Sequence, residues 1–273
     1  MICRPTEASG KGGRMQWECV DEDHACGRIE LFPCTVYIEG ERVECAWLGI
    51  DAENAQAGKM LLHTAVNHAE EKEIPLCMCL GNDTELFAHE GFSARERQIA
   101  AFSIDPAWMD GRFSMRPAEE KDGAWLRGLY SLYAGTFDAA FVRGSEEYWK
   151  EQVIPNLNNL SVLEKEGQIV AYIAYEKGED HLFVQEFAAH PDYEVLLCAV
   201  AMAAQGAEKA VVPMPILEGN GKKIGPETVF DAAEKLFFRV NRPFLFKNSR
   251  VRADLIPQNF MSKVLCWEAD SSR

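Results

Sequence analysis

Residues 185–200 read QEFAAHPDYEVLLCAV: an apolar strand, the turn His190-Pro191-Asp192-Tyr193, then an Ala/Leu/Val-rich helix. A helix start carries unpaired N–H groups and the positive end of the helix dipole, so this order ordinarily brings an anionic ligand to the helix. Here no glycine follows before Gly206. A second stretch, EGNGKKIG (218–225), is glycine-rich and doubly basic but lacks the Walker spacing, and it reads as a surface loop. Metal chemistry has one candidate, Cys77 and Cys79 with His63, His68 and His89 nearby. The two sulfurs point the same way on a strand, but His63 and His68 are five apart on a helix and face different directions, so no metal is expected.

The elements that would position these groups follow from periodicity. Residues 28–38 read as a strand, EGER (39–42) as a turn and VECAWLGI (43–50) as the returning strand of a hairpin. GKMLLHTAVNHAEEKE (58–73) places Leu61, Leu62, Ala65, Val66 and Ala69 on one helical face. A buried strand (76–82), a short helix (83–92) capped by Asp83 or Thr84, and a strand (97–104) complete the first half. After the breaker segment 105–112 the order begins again: strand, a helix carrying Trp125, Leu126, Leu129, Tyr130 and Tyr133, a hairpin around Glu166-Gly167 and a third strand. A helix (194–205), a strand (209–216), a helix (227–238) and strand-like pieces at 242–246 and 263–267 follow. Residues 1–14 lack periodicity and are expected to be disordered or loosely attached. Two related α+β units are expected, residues 15–106 and 112–273.

Composition narrows the function classes. The 273 residues are 47% apolar, enough for sizeable cores. The net charge of −15, from 43 acidic against 28 basic residues, disfavours nucleic acid and anionic membrane as partners and suits a cationic or amine-bearing small molecule. No apolar run is long enough for a membrane span, and the start MICRPTEASGKGGRMQW has no signal-like apolar region, so a cytoplasmic location is expected. Nine cysteines, several inside apolar strand-like runs, read as buried reduced thiols rather than a disulfide framework.

The order of elements, with EGERVECAWLG, GKMLLHTAVNHAEEKEIPL, ELFAHEGF and FSMRPAEEKD followed by SVLEKEGQIVAYIAYEK, resembles the GNAT (Gcn5-related N-acetyltransferase) superfamily. The doubled arrangement, with Arg143 and Trp149 ahead of the second hairpin, is similar to the tandem acetyltransferase-like domains of the enhanced-intracellular-survival enzymes. The resemblance covers roughly residues 28–270. It implies two tandem GNAT-like domains, each a mixed, mostly antiparallel sheet flanked by helices. The first is shortened at its N-terminus, because the opening strand and two helices have no counterpart before residue 28. A shortened unit leaves a sheet edge and an apolar face that a homodimer would cover.

The resemblance also implies acetyl-CoA as co-substrate, lying against a splayed strand with its pyrophosphate on backbone N–H groups of a loop patterned R/Q-x-x-G-x-G/A. Glycines matter in such a loop because a Cβ blocks the approach of phosphate to the backbone. The first-unit counterpart is LGIDAENAQAGKMLL (48–62), which implies Leu48, Ile50, Gln56, Ala57, Gly58 and Lys59 as cofactor-binding residues; Gly58 is the one glycine between Ile50 and Leu62, and Glu53 adds an anion. The alternative is a plain helix start with Asp51 and Glu53 as favourable amino-terminal charges. Relatives place a proton-donating tyrosine where this chain has Phe87, which leaves His89 or a cysteine as substitutes. Asp51 and Glu186 are the candidates for the general base that deprotonates the amine, Glu186 with the alternative of simply pointing to solvent. The second unit keeps His190-Pro191-Asp192-Tyr193 without the glycines and is expected to hold no pyrophosphate. The function read from this is N-acyl transfer to an amine, with a non-catalytic GNAT-fold binding protein as the alternative.

Overall fold

The computed structural model describes residues 1–6, 14–38, 41–137, 139–213, 216, 227–232, 234–241 and 264–265. In chain order the first half forms β1 (Ile2–Pro5), β2 (Met15–Asp21), β3 (His24–Ile38), β4 (Glu41–Ala52), α1 (Ala55–Glu71), β5 (Leu76–Gly81), α2 (Thr84–His89), β6 (Ser93–Arg95) and β7 (Gln98–Ser103). The second half forms β8 (Phe113–Pro117), α3 (Gly123–Ala134), β9 (Ala139–Phe141), α4 (Glu146–Tyr148), β10 (Ser161–Lys165), β11 (Gln168–Lys177) and β12 (His181–Ala189). It continues with α5 (Leu196–Ala204), β13 (Lys209–Pro213), β14 (Thr228–Asp231), β15 (Lys235–Val240) and β16 (Val264–Leu265).

Two α+β units result, and each is built on one mixed sheet. The first runs β1-β2-β3-β4-β5-β15-β6, the second β14-β7-β13-β12-β11-β10-β8. Pairing is antiparallel except between β4 and β5 and between β12 and β13, which are parallel; the short β9 and β16 also pair in parallel. Each unit receives a strand from the other half of the chain: β15 lies between β5 and β6, and β7 lies between β13 and β14. The compact units therefore differ from a simple division at 106/112, because residues 98–103 sit in the second sheet and 235–240 in the first.

The core of the first unit follows from its patterns. The α1 face of Leu61, Leu62, Ala65, Val66 and Ala69 is fully buried against Ile29, Leu31, Ala46, Leu48, Cys77 and Cys79 of the sheet. The helix begins at Ala55, ahead of the expected start at 58, because the Asn54 side chain caps it by accepting from the Ala57 N–H at 2.9 Å.

Three expectations are corrected. The segment 227–238 is not a helix but the two strands β14 and β15. Leu236, Phe237 and Phe238 are buried in succession, so both faces of β15 are covered and the alternation that marks a strand is missing. Residues 1–14 are not uniformly loose: Ile2–Pro5 pairs antiparallel with β2 as an edge strand. An opening strand is therefore present before residue 28, while the two opening helices have no counterpart among the described residues, only residues 6–14 separating β1 from β2, so the unit is shortened by its helices. The pieces 242–246 and EGNGKKIG lie outside the described residues, as does 263–267 apart from β16.

Candidate functional site

Backbone register defines an open edge in the first unit. The Glu53 N–H donates to the Cys26 carbonyl at 2.9 Å, which makes Cys26 and Glu53 a hydrogen-bonded pair of the β3–β4 ladder. Hydrogen-bonded and non-hydrogen-bonded pairs alternate in an antiparallel ladder. Arg28/Asp51 and Glu30/Gly49 are therefore hydrogen-bonded, while Leu48, Ile50 and Ala52 turn their N–H and C=O groups away from β3. Those of Leu48 enter the parallel ladder with β5, whose register ends at Leu48↔Cys79. Beyond that point β4 and β5 part, and the N–H and C=O of Ile50 are left on the open edge. The side chains of Leu48, Ile50 and Ala52 pack on the α1 side of the sheet; Asp51 is exposed on the opposite side, directly across from Arg28.

This edge runs into the amino end of α1. The N–H groups of Ala55 and Gln56 are the first two of the helix and have no intrahelical partner. The next two are taken, since Ala57 donates to the Asn54 side chain and Gly58 to the Asn54 carbonyl at 3.0 Å. Gly58 thus offers no donor to a phosphate. A Cβ there would meet Leu86 Cδ2 at 3.2 Å, so the glycine permits close packing of α1 on α2. Lys59 is exposed on the first turn, and Glu53 is held by His24 at 3.1 Å. Of the expected cofactor-binding residues, Gln56 and Lys59 are exposed and Ile50 is half-buried beyond the end of the β4–β5 register, whereas Leu48, Ala57 and Gly58 have their backbone groups engaged. Two contributors carried no periodic signal: the cap Asn54, and Arg28, whose placement opposite Asp51 depends on register.

Glu186 occupies a different environment. It is completely buried in the second unit and bound in a two-pronged pair by Arg143, Nη1 to Oε1 and Nη2 to Oε2 both at 2.7 Å. Tyr172 donates its hydroxyl to the same Oε1 at 2.6 Å, and burial pushes that hydroxyl well above its usual pKa, so it remains a donor. The Arg143 guanidinium lies 4.1 Å from the Tyr130 ring centroid and 5.3 Å from that of Trp149. A carboxylate paired in this way is not a solvent-facing residue, nor is it placed to collect a proton from an amine. It is the ionic centre of an aromatic core, and Tyr130, Tyr133, Phe137, Phe141 and Trp149 are buried with it rather than lining an open pocket.

The remaining candidates resolve into packing and surface. Phe87 is buried, stacked on Phe237 at 4.1 Å and edge-on to Phe92 at 5.6 Å, so its position is part of the core. His89 is exposed beside Glu90, which also holds His63 at 3.2 Å. His68 packs edge-on to Trp17, and Cys77 accepts from Asn241 at 3.2 Å. Burial raises the Cys77 thiol to about 11 and Cys79 further. Among the described residues no group of three or more such side chains could hold a metal.

The second unit repeats the splay, but its helix start has neither a side-chain cap nor a glycine. The β12–β13 register ends at Phe183↔Val211, and α5 begins with buried Val195 and Leu196.

Two sheets, each with a parallel pair that splays ahead of a helix start, define the architecture, and solved structures share it. A GCN5-related N-acetyltransferase from Kribbella flavida superposes with a TM-score of 0.64 at 16% identity, over 82% of this chain and 59% of that one. The chain has the GNAT fold. Eis1 from Mycobacterium abscessus matches with a TM-score of 0.57 at 13% identity, over 84% of this chain and 65% of Eis1. The doubled GNAT arrangement thus resembles the Eis type. Saccharomyces cerevisiae N-myristoyltransferase, solved with bound myristoyl-CoA, matches with a TM-score of 0.53 at 10% identity, over 84% of this chain and 69% of that one. The chain spans less than two thirds of the first two of these proteins. No protein-family model and no curated protein sequence matches it. Among the described residues no helix is long and apolar enough to cross a membrane.

Proposed function

We propose that this GNAT-fold chain is an acyl-CoA-dependent N-acyltransferase whose donor groove lies in the first unit, along the outer edge of β4. The observation that carries this reading is the register: β5 leaves β4 after Leu48, and the exposed edge at Ile50 leads directly to the uncapped N–H groups of Ala55 and Gln56. Bound acyl-CoA supplies an activated thioester. The C=O of Ile50 would accept from its amide-bearing arm, Ala55 and Gln56 would donate to its phosphates, and Lys59 would supply the cation, which leaves the Ile50 N–H for the thioester carbonyl. The open backbone N–H of Ile50 is where the reacting carbonyl would be polarised.

The acceptor is an amine, in keeping with the acidic chain. Asp51, exposed on the face opposite α1 and across the ladder from Arg28, would take the proton of the incoming ammonium. With Phe87 in the core, thiolate departure depends on positioning and on solvent rather than on a side-chain acid. Reduced thiols suit a cytoplasmic enzyme.

A second reading, a GNAT-fold protein that binds a ligand without turnover, is favoured by Phe87 at the acid position and by the anions Asp51 and Glu53 beside the helix start. Thermal denaturation with acetyl-CoA, followed by mass spectrometry of an amine panel, separates the readings. A cofactor at a hundred times its dissociation constant stabilises by about 2.7 kcal/mol. Stabilisation with an acylated product supports transfer, stabilisation alone supports the binding protein, and no shift at millimolar acetyl-CoA contradicts the donor groove.

A further inference from the structure

The cysteines of the first unit are not distributed at random over its sheet. Cys3 on β1 and Cys19 on β2 are directly opposite one another. The Thr6 N–H donates to the Gln16 carbonyl at 2.9 Å, which makes Thr6/Gln16 a hydrogen-bonded pair in the same register. By alternation Pro5/Trp17 is non-hydrogen-bonded, as suits a residue without an N–H, Arg4/Glu18 is hydrogen-bonded, and Cys3/Cys19 is again non-hydrogen-bonded. Such pairs have Cα atoms about 4.5 Å apart with their side chains drawn together, inside the separation that a disulfide spans.

A second opposed pair, Cys34 and Cys45, supplies the contrast. Counting from the Cys26/Glu53 pair places Cys34/Cys45 at a hydrogen-bonded position, where the Cα atoms stand about 5.5 Å apart, a wider backbone spacing than at Cys3/Cys19. The third thiol near Cys19 is Cys26, but it donates to the His24 carbonyl at 3.4 Å. Exposure also differs within the first pair: Cys3 is half-buried on an edge strand, whereas Cys19 is fully buried. One member is reached by solvent and the other waits behind it.

We propose that Cys3 and Cys19 are a peroxide-reactive dithiol that closes to a reversible disulfide fastening the edge strand β1 to β2. The Cys3 thiolate attacks one oxygen of hydrogen peroxide, so that an S–O bond forms, the O–O bond breaks and the other oxygen leaves as water after taking a proton. Cys19 then attacks the Cys3 sulfur, the S–S bond forms, and the hydroxyl leaves with the Cys19 proton as a second water. Two thiols are oxidised and one peroxide is reduced. Burial raises the Cys19 thiol to about 11, which keeps it protonated and leaves the first attack to Cys3.

The test uses the full reduced chain, treated with one equivalent of hydrogen peroxide, denatured, alkylated and digested without reductant. The expected result is a pair of peptides joined through Cys3 and Cys19, with fragmentation assigning Cys19 rather than Cys26, the loss of two of the nine alkylatable thiols, and recovery of both by dithiothreitol. Cys34→Ser should leave this bridge in place, and Cys19→Ser should stop Cys3 at the sulfenic acid, trapped by dimedone. Full alkylation of Cys3 after peroxide, its bridging to another cysteine, or a Cys34–Cys45 bridge in its stead would overturn the proposal. The wild-type digest decides it without reliance on the folding of any variant.

Discussion

Gly58 and Leu86 meet where α1 packs on α2: a Cβ on Gly58 would lie 3.2 Å from Leu86 Cδ2, while the Gly58 N–H is spent on the Asn54 carbonyl. The glycine serves helix packing. Gly58→Ala gains up to about 1 kcal/mol of helix propensity and asks the flexible end of Leu86 to shift slightly. Stability should change by less than about 1 kcal/mol and acetyl-CoA affinity hardly at all. Gly58→Leu should cost about 1–3 kcal/mol through overpacking, measured by urea denaturation.

Gly27 has the opposite character. A Cβ there would stand 2.6 Å from the Asp51 carbonyl oxygen and 2.8 Å from Ala52 Cα, both backbone atoms that cannot swing aside. Gly27→Ala is expected to destabilise by about 1–3 kcal/mol and to displace the β4 edge, weakening acetyl-CoA binding together with stability.

Glu186→Gln distinguishes a structural carboxylate from a catalytic one. It leaves Arg143 buried without its counter-charge, at a cost of about 3–5 kcal/mol. Replacing both, as Arg143→Met with Glu186→Met, should recover most of that loss. A Glu186→Gln protein of native stability with greatly reduced turnover would contradict the structural assignment.

Acid should weaken the second unit through Asp122. Two hydrogen bonds from Arg116, at 2.6 and 3.0 Å, and the Glu119 N–H at 2.8 Å hold this buried carboxylate below its usual pKa of 3.8. A carboxyl group depressed in the folded state contributes its stability above the unfolded value, and the contribution is lost as pH falls below about 4. Asp122→Asn should be less stable at pH 7, with a shallower decline between about pH 4 and 2 by calorimetry.

Phe237→Ala removes a ring stacked on Phe87 from a central strand of the first sheet and should cost about 3–5 kcal/mol. A chain ending at residue 232 should lose the cooperative transition of the first unit, since β5 and β6 would then face an empty strand position.

Much of this was legible in the sequence. The α1 face, the hairpin of β3 and β4, the buried β5 and the doubled order all follow from period and turn residues, because each is settled by neighbours close in the chain. The strands β14 and β15 were not, since their pairing partners lie more than a hundred residues away and Phe237 and Phe238 are buried in succession without alternation. For the same reason the exchange of β7 and β15 between units left no mark on local pattern. At the proposed site, Ile50 and Gln56 rest on the resemblance to a family motif. The engagement of Gly58 and Ala57 depends on a single cap, Asn54, and the pairing of Glu186 with Arg143 on a contact across 43 positions.

The central claim is that acyl-CoA lies along the β4 edge of the first unit. Hydrogen–deuterium exchange of the full chain with and without acetyl-CoA tests it most directly. Slowed exchange at the amides of Ile50, Ala55 and Gln56, with residues 187–197 unchanged, is the expected result. Slowing confined to 187–197, or none at either place at saturating acetyl-CoA, would contradict it.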